Sequence, residues 1–425
     1  MADQEDRSAQ PAIFFDFRLL ILFFLGLRLT LAIVYQPTLV TVGGEQGAAT
    51  PVERGLSAFG DLPYYYRLVT LADQGLLPYR DYWFEFPPVV WLFYRGLYVI
   101  AGLGKGMDYP AWAMLAGLTM TGCDLGILTM LRRLGERLHG LQTGMAPAWM
   151  YALLAAPAIT PWWTFEPLVA LMLLLALWWL LNNHLGASAL ITVAGVLTKY
   201  VPLLILLTVW RFWPVRRAWR FTALVVAALA LVAGLLWGWG GRMAYASLAA
   251  QFHKASYQTV WALLEGNWKT GLFVAPEERT DAGTAFRAAE KAVVPVWART
   301  ALLAVPGIWF WQRGRRQDEQ TVVAFFAGTV VLFYLWAQGW SPQWLVVLSP
   351  LILLNFPHRV GAMVCVALAF GAFIEYPTLF MRTADTGGTI SSTLRPTFGL
   401  LVLARTSILA GVVVALGKRL GGETV

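Results

Sequence analysis

Apolar runs alternate with short polar stretches along the whole 425-residue chain. The first run covers about 13–35, and others fall near 89–103, 111–131, 146–159, 168–181, 187–210, 223–239, 294–311, 322–337, 344–354, 362–373 and 398–416. A hydrocarbon core about 30 Å thick is spanned by roughly 20 helical residues. The pattern therefore predicts an all-α polytopic membrane protein, a bundle of about 10–12 transmembrane helices. No small-residue cleavage site follows the first run, which reads as a retained helix. No repeat, low-complexity tract or soluble segment interrupts the pattern. The expected organisation is one integral membrane domain over 1–425. It comprises a first transmembrane helix (13–36), a large outer loop with juxtamembrane helices (37–109), a transmembrane core with a broken helix near 199 (110–239), a second outer loop (240–293) and C-terminal transmembrane helices (294–425).

Basic residues at the ends of the runs orient them, because Lys and Arg are retained on the cytoplasmic side. Arg132, Arg133 and Arg137, the group from Arg211 to Arg220, Arg313 to Arg316, Arg359, and Lys418 with Arg419 mark that side. Two stretches then break the alternation. The run at 89–103 must begin and end on the outer side, which makes it a juxtamembrane or re-entrant helix. The run at 187–210 has both ends on the cytoplasmic side and is interrupted by TKYVP (Thr198 to Pro202). It is too short for two crossings, and Pro202 removes a backbone donor. Two half-helices meeting near Lys199 fit this better than one kinked helix, and an unwound backbone at that depth implies a surrounding cavity.

Composition agrees with the pattern. Hydrophobic residues make up 58% of the chain and charged residues 13%, too apolar a balance for a water-soluble fold. The net charge of +8 lies mostly in the clusters that set topology, so it does not describe a polyanion groove. The two cysteines, Cys123 and Cys365, sit inside apolar runs with no CxxC or His companion, so neither a disulfide framework nor a zinc site is suggested.

Candidate chemistry gathers in the polar turns on the outer side. The stretch Phe59 to Trp91 holds Asp61, Tyr64, Tyr65, Arg80, Asp81 and Glu85 among further aromatic residues. Rings stack on sugar C–H faces while carboxylates accept from hydroxyls, so this mixture suits sugar recognition; a solvated cap has the same composition. Asp61 before Pro63 also reads as an ordinary helix N-cap. PWWTFEP contributes Trp162, Trp163 and Glu166. The loop from Gln251 contributes His253, Lys254, Gln258 and Trp261, and Tyr257, Trp261 and Leu264 are spaced to share one face of an interfacial helix. GWSPQW adds Ser341 and Gln343 next to Gln338. Lys199 is an intramembrane cation, a functional candidate by its cost, although a lysine can also snorkel to an interface. Arg28 in the first helix meets the same cost; it is expected either to pair with Asp124 or to contact a lipid phosphate.

Taken in order, GD..YY at Gly60 to Tyr65, LPYRDYWFEFPPV, GVLTKYVPL and GWSPQWL resemble the GT-C-type glycosyltransferases that use polyprenyl-phosphate sugars. The resemblance is greatest to glycosyltransferase family 87, the polyprenol-phosphate-mannose-dependent mannosyltransferases, and it runs to about Leu354. It implies a GT-C-like bundle in the cell membrane with an extracytoplasmic active site. The implied reaction is an inverting transfer of a sugar, mannose by expectation, from a polyprenyl-phosphate donor to a glycolipid or glycan acceptor. Asp61 matches the essential first-loop aspartate of the family and is the expected general base, with Asp81 or Glu85 as the alternative. Lys199 is the expected partner of the leaving phosphate. Arg80, Asp81, Glu85, Tyr64, Tyr65, Trp162, Trp163, Glu166, Lys199, His253, Lys254, Gln258, Trp261, Gln338, Ser341 and Gln343 are expected to bind substrate. No cofactor is implied. Asp61 is followed by Leu62 and Pro63, which departs from the D-x-D pattern of some GT-C enzymes and leaves a divalent metal an open question. The competing reading is a lipid or glycolipid transporter or flippase with Lys199 at a broken-helix site.

Overall fold

The computed structural model describes residues 12–43, 49–58, 60–102, 108–271, 274–286, 294–314, 316–383 and 388–423. Phe59 and Leu103, which bound two of the stretches above, lie outside the described residues. Helix α1 (Phe17–Val34) starts where the Asp16 side chain accepts from the backbone amides of Arg18 and Leu19 at 2.8 and 3.3 Å. A short antiparallel hairpin follows, β1 (Thr38–Gly43) on β2 (Ala49–Arg54), which the helical pattern does not anticipate. Then come α2 (Leu62–Thr70), α3 (Pro88–Ala101) and α4 (Tyr109–Gly144). Next are α5 (Ala146–Leu153), α6 (Ala155–Ile159), α7 (Glu166–Leu181), α8 (Leu185–Val196) and α9 (Ile205–Phe212). The chain continues through α10 (Val215–Gly240), α11 (Arg242–Ala249), α12 (Val260–Leu264) and α13 (Val296–Arg313). It ends with α14 (Glu319–Trp336), α15 (Leu345–Asn355), α16 (Arg359–Phe373), α17 (Phe380–Thr383) and α18 (Arg395–Leu420).

Among the described residues six helical spans are long and apolar enough to cross a membrane: α1, α4, α10, α14, the segment Arg359–Thr383 and α18. Five shorter apolar helices accompany them: Pro88–Ala101, Glu166–Leu181, Leu185–Val196, Val201–Phe212 and Pro342–Asn355. Burial sorts them by place. α14 and α15 are packed nearly all round, whereas α10 leaves Val226, Leu231 and Leu235 exposed, as expected of a helix facing lipid.

The run at 187–210 is broken into two short helices on either side of Lys199. Each half, Leu185–Val196 and Val201–Phe212, has 12 residues and is therefore about 18 Å long, half a bilayer core. The two halves return to one end of the bundle. Trp213 Nε1 donates to Asn183 Oδ1 at 3.3 Å, joining the residue after the second half to one two residues before the first. That end carries the basic residues: Arg137 reaches Asn182 at 3.0 Å and pairs with Glu319, and Arg211 donates to the Trp311 carbonyl at 2.8 Å. Gly195 permits the turn, since a Cβ there would lie 2.9 Å from Pro202 Cγ. The carbonyl of Leu197, freed by the break, accepts the Val89 amide of the juxtamembrane segment at 3.0 Å. Lys199 thus stands at the tip of the pair, about half a bilayer core away from the arginines.

Arg28 and Asp124 pair at 3.9 Å, both with fully buried side chains, and the Tyr151 hydroxyl donates to the other Asp124 oxygen at 2.7 Å. Arg28 also lies 4.4 Å from the Phe24 ring. Neither residue lines a cavity at the Lys199 end, so the structure takes the ion-pair alternative. Removing one partner strands a charge at depth. Arg28→Met is therefore expected to lower stability by about 3–5 kcal/mol, and Arg28→Met with Asp124→Leu to recover most of it, read as thermal unfolding in detergent.

Candidate active site

Beyond the tip of that pair a polar cleft of about 860 Å³, counting its open mouth, is enclosed by segments far apart in sequence. Asp61 lines it. It precedes α2 in the N-cap position, as the sequence predicts, but its backbone is helical (φ −81°, ψ −13°) and its side chain makes no capping bond. The carboxylate turns into the cleft, where Gln343 Nε2 donates to Oδ2 at 3.2 Å, and the Asp61 amide donates to the Trp163 carbonyl at 2.9 Å. Burial, and the neighbouring Glu85 carboxylate, push the Asp61 carboxyl up to about 7, against the pull of Lys254 and Lys199. Asp61 therefore exchanges its proton near neutral pH, as a general base must.

Two charged clusters, holding three ion pairs, flank it. Lys199 pairs with Glu166, the first residue of α7, and its ammonium faces the rings of Trp344 (5.3 Å) and Phe165 (5.8 Å). On the other side Glu85 takes Lys254 at 2.7 Å and Arg279 at 3.7 Å. Burial pushes the Glu85 carboxyl up, but Lys254 and Arg279 outweigh it and hold the group below its usual range. The two acids are thus set apart: Glu85 stays ionised and Asp61 titrates near neutrality. Arg279 is buried, with its guanidinium 3.9 Å from the Trp83 ring and 4.8 Å from that of Tyr64. Aromatic walls come from Tyr64, Tyr65, Trp163, Tyr257, Trp344 and Tyr376. Trp163 and Tyr376 lie ring against ring at 3.8 Å.

An apolar groove of about 980 Å³ adjoins the cleft between the loop at 251–257 and helices α13 and α14. Val296, Phe333 and Trp336 line it, and Gln338 sits at its edge with Arg299 donating to it at 3.3 Å. Lys199, Lys254, Gln251, Tyr257, Phe86 and Trp344 line both cavities. Two cations therefore stand where an apolar trench opens into a polar chamber.

Of the residues singled out in the sequence, Asp61, Tyr64, Tyr65, Glu85, Trp163, Lys199, Lys254, Ser341 and Gln343 line the cleft, and Glu166 meets it through Lys199. The others stand elsewhere. Arg80 and Asp81 pair with each other at 2.8 Å on the surface, where Asp81 also accepts the Leu77 amide at 2.7 Å, so the pair closes a local turn. Trp162 is fully buried against Gly117. His253 bonds the Ala249 carbonyl at 3.0 Å and meets the Phe286 ring edge-on. Gln258 is buried behind the wall, and Trp261 donates to the Leu335 carbonyl at 2.9 Å. The interfacial helix expected around Tyr257 begins only at Val260, after the Thr259 cap, so Tyr257 lies outside it and Leu264 is exposed while Trp261 is buried. Sequence reading passed over Arg279, Gln251, Thr270 and Tyr376. Arg279 sits in PEERTD, which has the look of a solvated charge run. Among the described residues no three His, Cys, Asp or Glu side chains are grouped to hold a metal ion.

No protein-family profile and no curated protein matches the chain. Among solved structures, the apo oligosaccharyltransferase of Archaeoglobus fulgidus is similar over 98% of this chain and 56% of its own, at 12% identity and a TM-score of 0.42. The chain thus spans a little over half the length of that protein.

Proposed function

We propose that the protein is a membrane glycosyltransferase of the GT-C type that moves a sugar, mannose by preference, from a polyprenyl-phosphate donor to a hydroxyl of a glycolipid or glycan on the extracytoplasmic side. The observation that carries this reading is the junction of cleft and groove at Lys199 and Lys254, with Asp61 in the polar chamber beyond. A lipid-linked phosphosugar has the same three parts in the same order. Its chain fits the trench between the 251–257 loop and helices α13 and α14, its phosphate meets the two ammonium groups, and its sugar enters among the rings and carboxylates.

The chemistry follows from the arrangement. Asp61 takes the proton of the acceptor hydroxyl as that oxygen bonds to the anomeric carbon. The bond from that carbon to the phosphate oxygen breaks, and its electron pair leaves with the polyprenyl phosphate. A single displacement inverts the anomeric centre. Lys199 and Lys254 stabilise the charge that grows on the departing phosphate, which is where fixed cations lower a barrier most. Glu85 stays ionised and holds Lys254 and Arg279 in place.

Because the base works only when ionised, activity is expected to rise with pH. The acid limb of kcat/KM should have its midpoint near 7, where the Asp61 carboxyl titrates. An ordinary carboxylate would place that limb near 4, and a profile of that kind would remove Asp61 from the role.

Purified protein in liposomes, given radiolabelled polyprenyl-phosphate mannose and a membrane glycolipid extract, is expected to form labelled product and release polyprenyl phosphate. A nucleotide sugar should not substitute as donor. Movement of the intact donor between leaflets without cleavage would instead establish the transporter reading.

A further inference from the structure

Asp61 occupies a helix-capping position without capping the helix, so its orientation is fixed by other contacts. Its amide is tied to the Trp163 carbonyl at 2.9 Å, and its carboxylate accepts from Gln343, 282 residues later in the chain, at 3.2 Å. Gln343 sits in the tight turn Pro342–Trp344 ahead of α15, and that turn is clamped. Tyr257 N donates to the Gln338 carbonyl at 3.1 Å, Trp340 N to the Tyr257 carbonyl at 3.1 Å, and Thr259 Oγ1 to the Gln338 carbonyl at 2.9 Å. Trp340 donates in turn to Glu375 at 3.2 Å. Arg405 pairs with Glu375, donates to the Gln258 carbonyl and lies 4.4 Å from the Trp340 ring. Gly339 lets the segments close, since a Cβ there would fall 2.3 Å from the Tyr257 ring. The turn is thus fixed to the loop at 257–259, to the kink at 374–376 and to α18, and it presents one neutral amide to one carboxylate oxygen.

We propose that Gln343 is the positioning residue of the transfer: its amide pins Oδ2 of Asp61 and leaves Oδ1 facing the acceptor hydroxyl. This rests on the reading of Asp61 as base. An amide suits the task. It donates to the ionised carboxylate, so it favours the form that accepts a proton, and it does not itself titrate near neutral pH. A carboxylate in its place would compete for the proton, and an ammonium would hold Asp61 ionised too strongly to be a base.

The test is the pH dependence of kcat and KM for donor and acceptor in Gln343→Leu, Gln343→Asn and Gln343→Glu. Loss of the donor in Leu, or its withdrawal by one carbon in Asn, is expected to move the acid limb up by about one pH unit. That lowers kcat about tenfold on the acid side, with partial recovery at alkaline pH and both KM values within about twofold of wild type. Glu, facing Asp61, should move the limb further in the same direction, because two adjacent carboxyls share a proton. The Asn variant keeps a polar side chain at the site and carries the test should Leu misfold. A raised KM with an unmoved limb would make Gln343 a substrate contact and overturn the proposal, as would a wild-type profile in Glu. Asp61→Asn is measured alongside: full transfer in that variant overturns the base itself, whereas its inactivity with an unmoved limb in the Gln343 series overturns only the positioning role.

Discussion

Asp61→Asn is expected to lower kcat for sugar transfer by about 10²–10⁴-fold, the range a positioned general base supplies, with little change in donor KM. Asn keeps the size of the side chain and can still meet Gln343, but it cannot take a proton. The variant should also be more stable than the native protein at alkaline pH. The folded-state carboxyl is raised to about 7, well above the value an aspartate has in an unfolded chain. The protonated side chain is therefore the one the fold favours. Stability is complete below the unfolded value, falls as pH rises between the two, and stays reduced above about 7. Asn removes that loss. A thermal-unfolding series from pH 5 to 9 should show the two proteins diverging as pH rises, with the inactive one melting higher. Equal activity in the two would remove Asp61 from the chemistry. An Asn variant that melts lower throughout would show that its inactivity comes from a damaged fold.

The second large effect is expected at Lys199. Replacing it with Met removes a cation from the junction of groove and cleft, and by analogy with lost transition-state donors kcat should fall about 10²–10³-fold. A single substitution also leaves Glu166 buried without its partner, which disturbs the fold independently of catalysis. The informative variant is therefore Lys199→Met with Glu166→Gln, which removes both charges. If Lys199 serves only to neutralise Glu166, this double variant should transfer sugar at close to the native rate. If it serves the leaving phosphate, the double variant should regain stability and remain as slow as Lys199→Met. Comparing kcat with melting temperature in the single and double variants separates the two roles.

Lys199 also shows how much the sequence can disclose. A cation in an apolar run, followed by Pro202 and bounded by Asn182 to His184 at one end and Arg211 at the other, leaves few arrangements that satisfy charge, length and backbone hydrogen bonding together. The break near Lys199 was legible for that reason, and so was the helix that starts behind Pro87. Both rest on local constraints that a membrane makes severe. Asp61 was legible by its resemblance to a motif, while its local chemistry pointed only to a helix cap. What draws it into the cleft is Gln343, and a contact across 282 residues leaves no mark in the local pattern. Arg279 was hidden for a related reason: among the polar residues of its loop only the fold sets it apart, by enclosing it between Trp83 and Tyr64. Arg80 and Asp81 err the other way. Adjacent opposite charges in an aromatic loop resemble a binding site, yet such neighbours satisfy each other most readily. The β1–β2 hairpin escaped because TLVTVG is short, and helical periodicity says nothing about alternation on that scale.

The most direct test of the assignment is a cryo-EM structure with a non-transferable analogue of a polyprenyl-phosphate sugar. The account predicts density for the lipid chain between the 251–257 loop and helices α13 and α14, the phosphate within about 4 Å of the Lys199 and Lys254 ammonium groups, and the sugar facing Asp61 with room for an acceptor hydroxyl beside Oδ1. Density that places the phosphate away from both lysines, or the sugar outside the cleft that Asp61 lines, would contradict it.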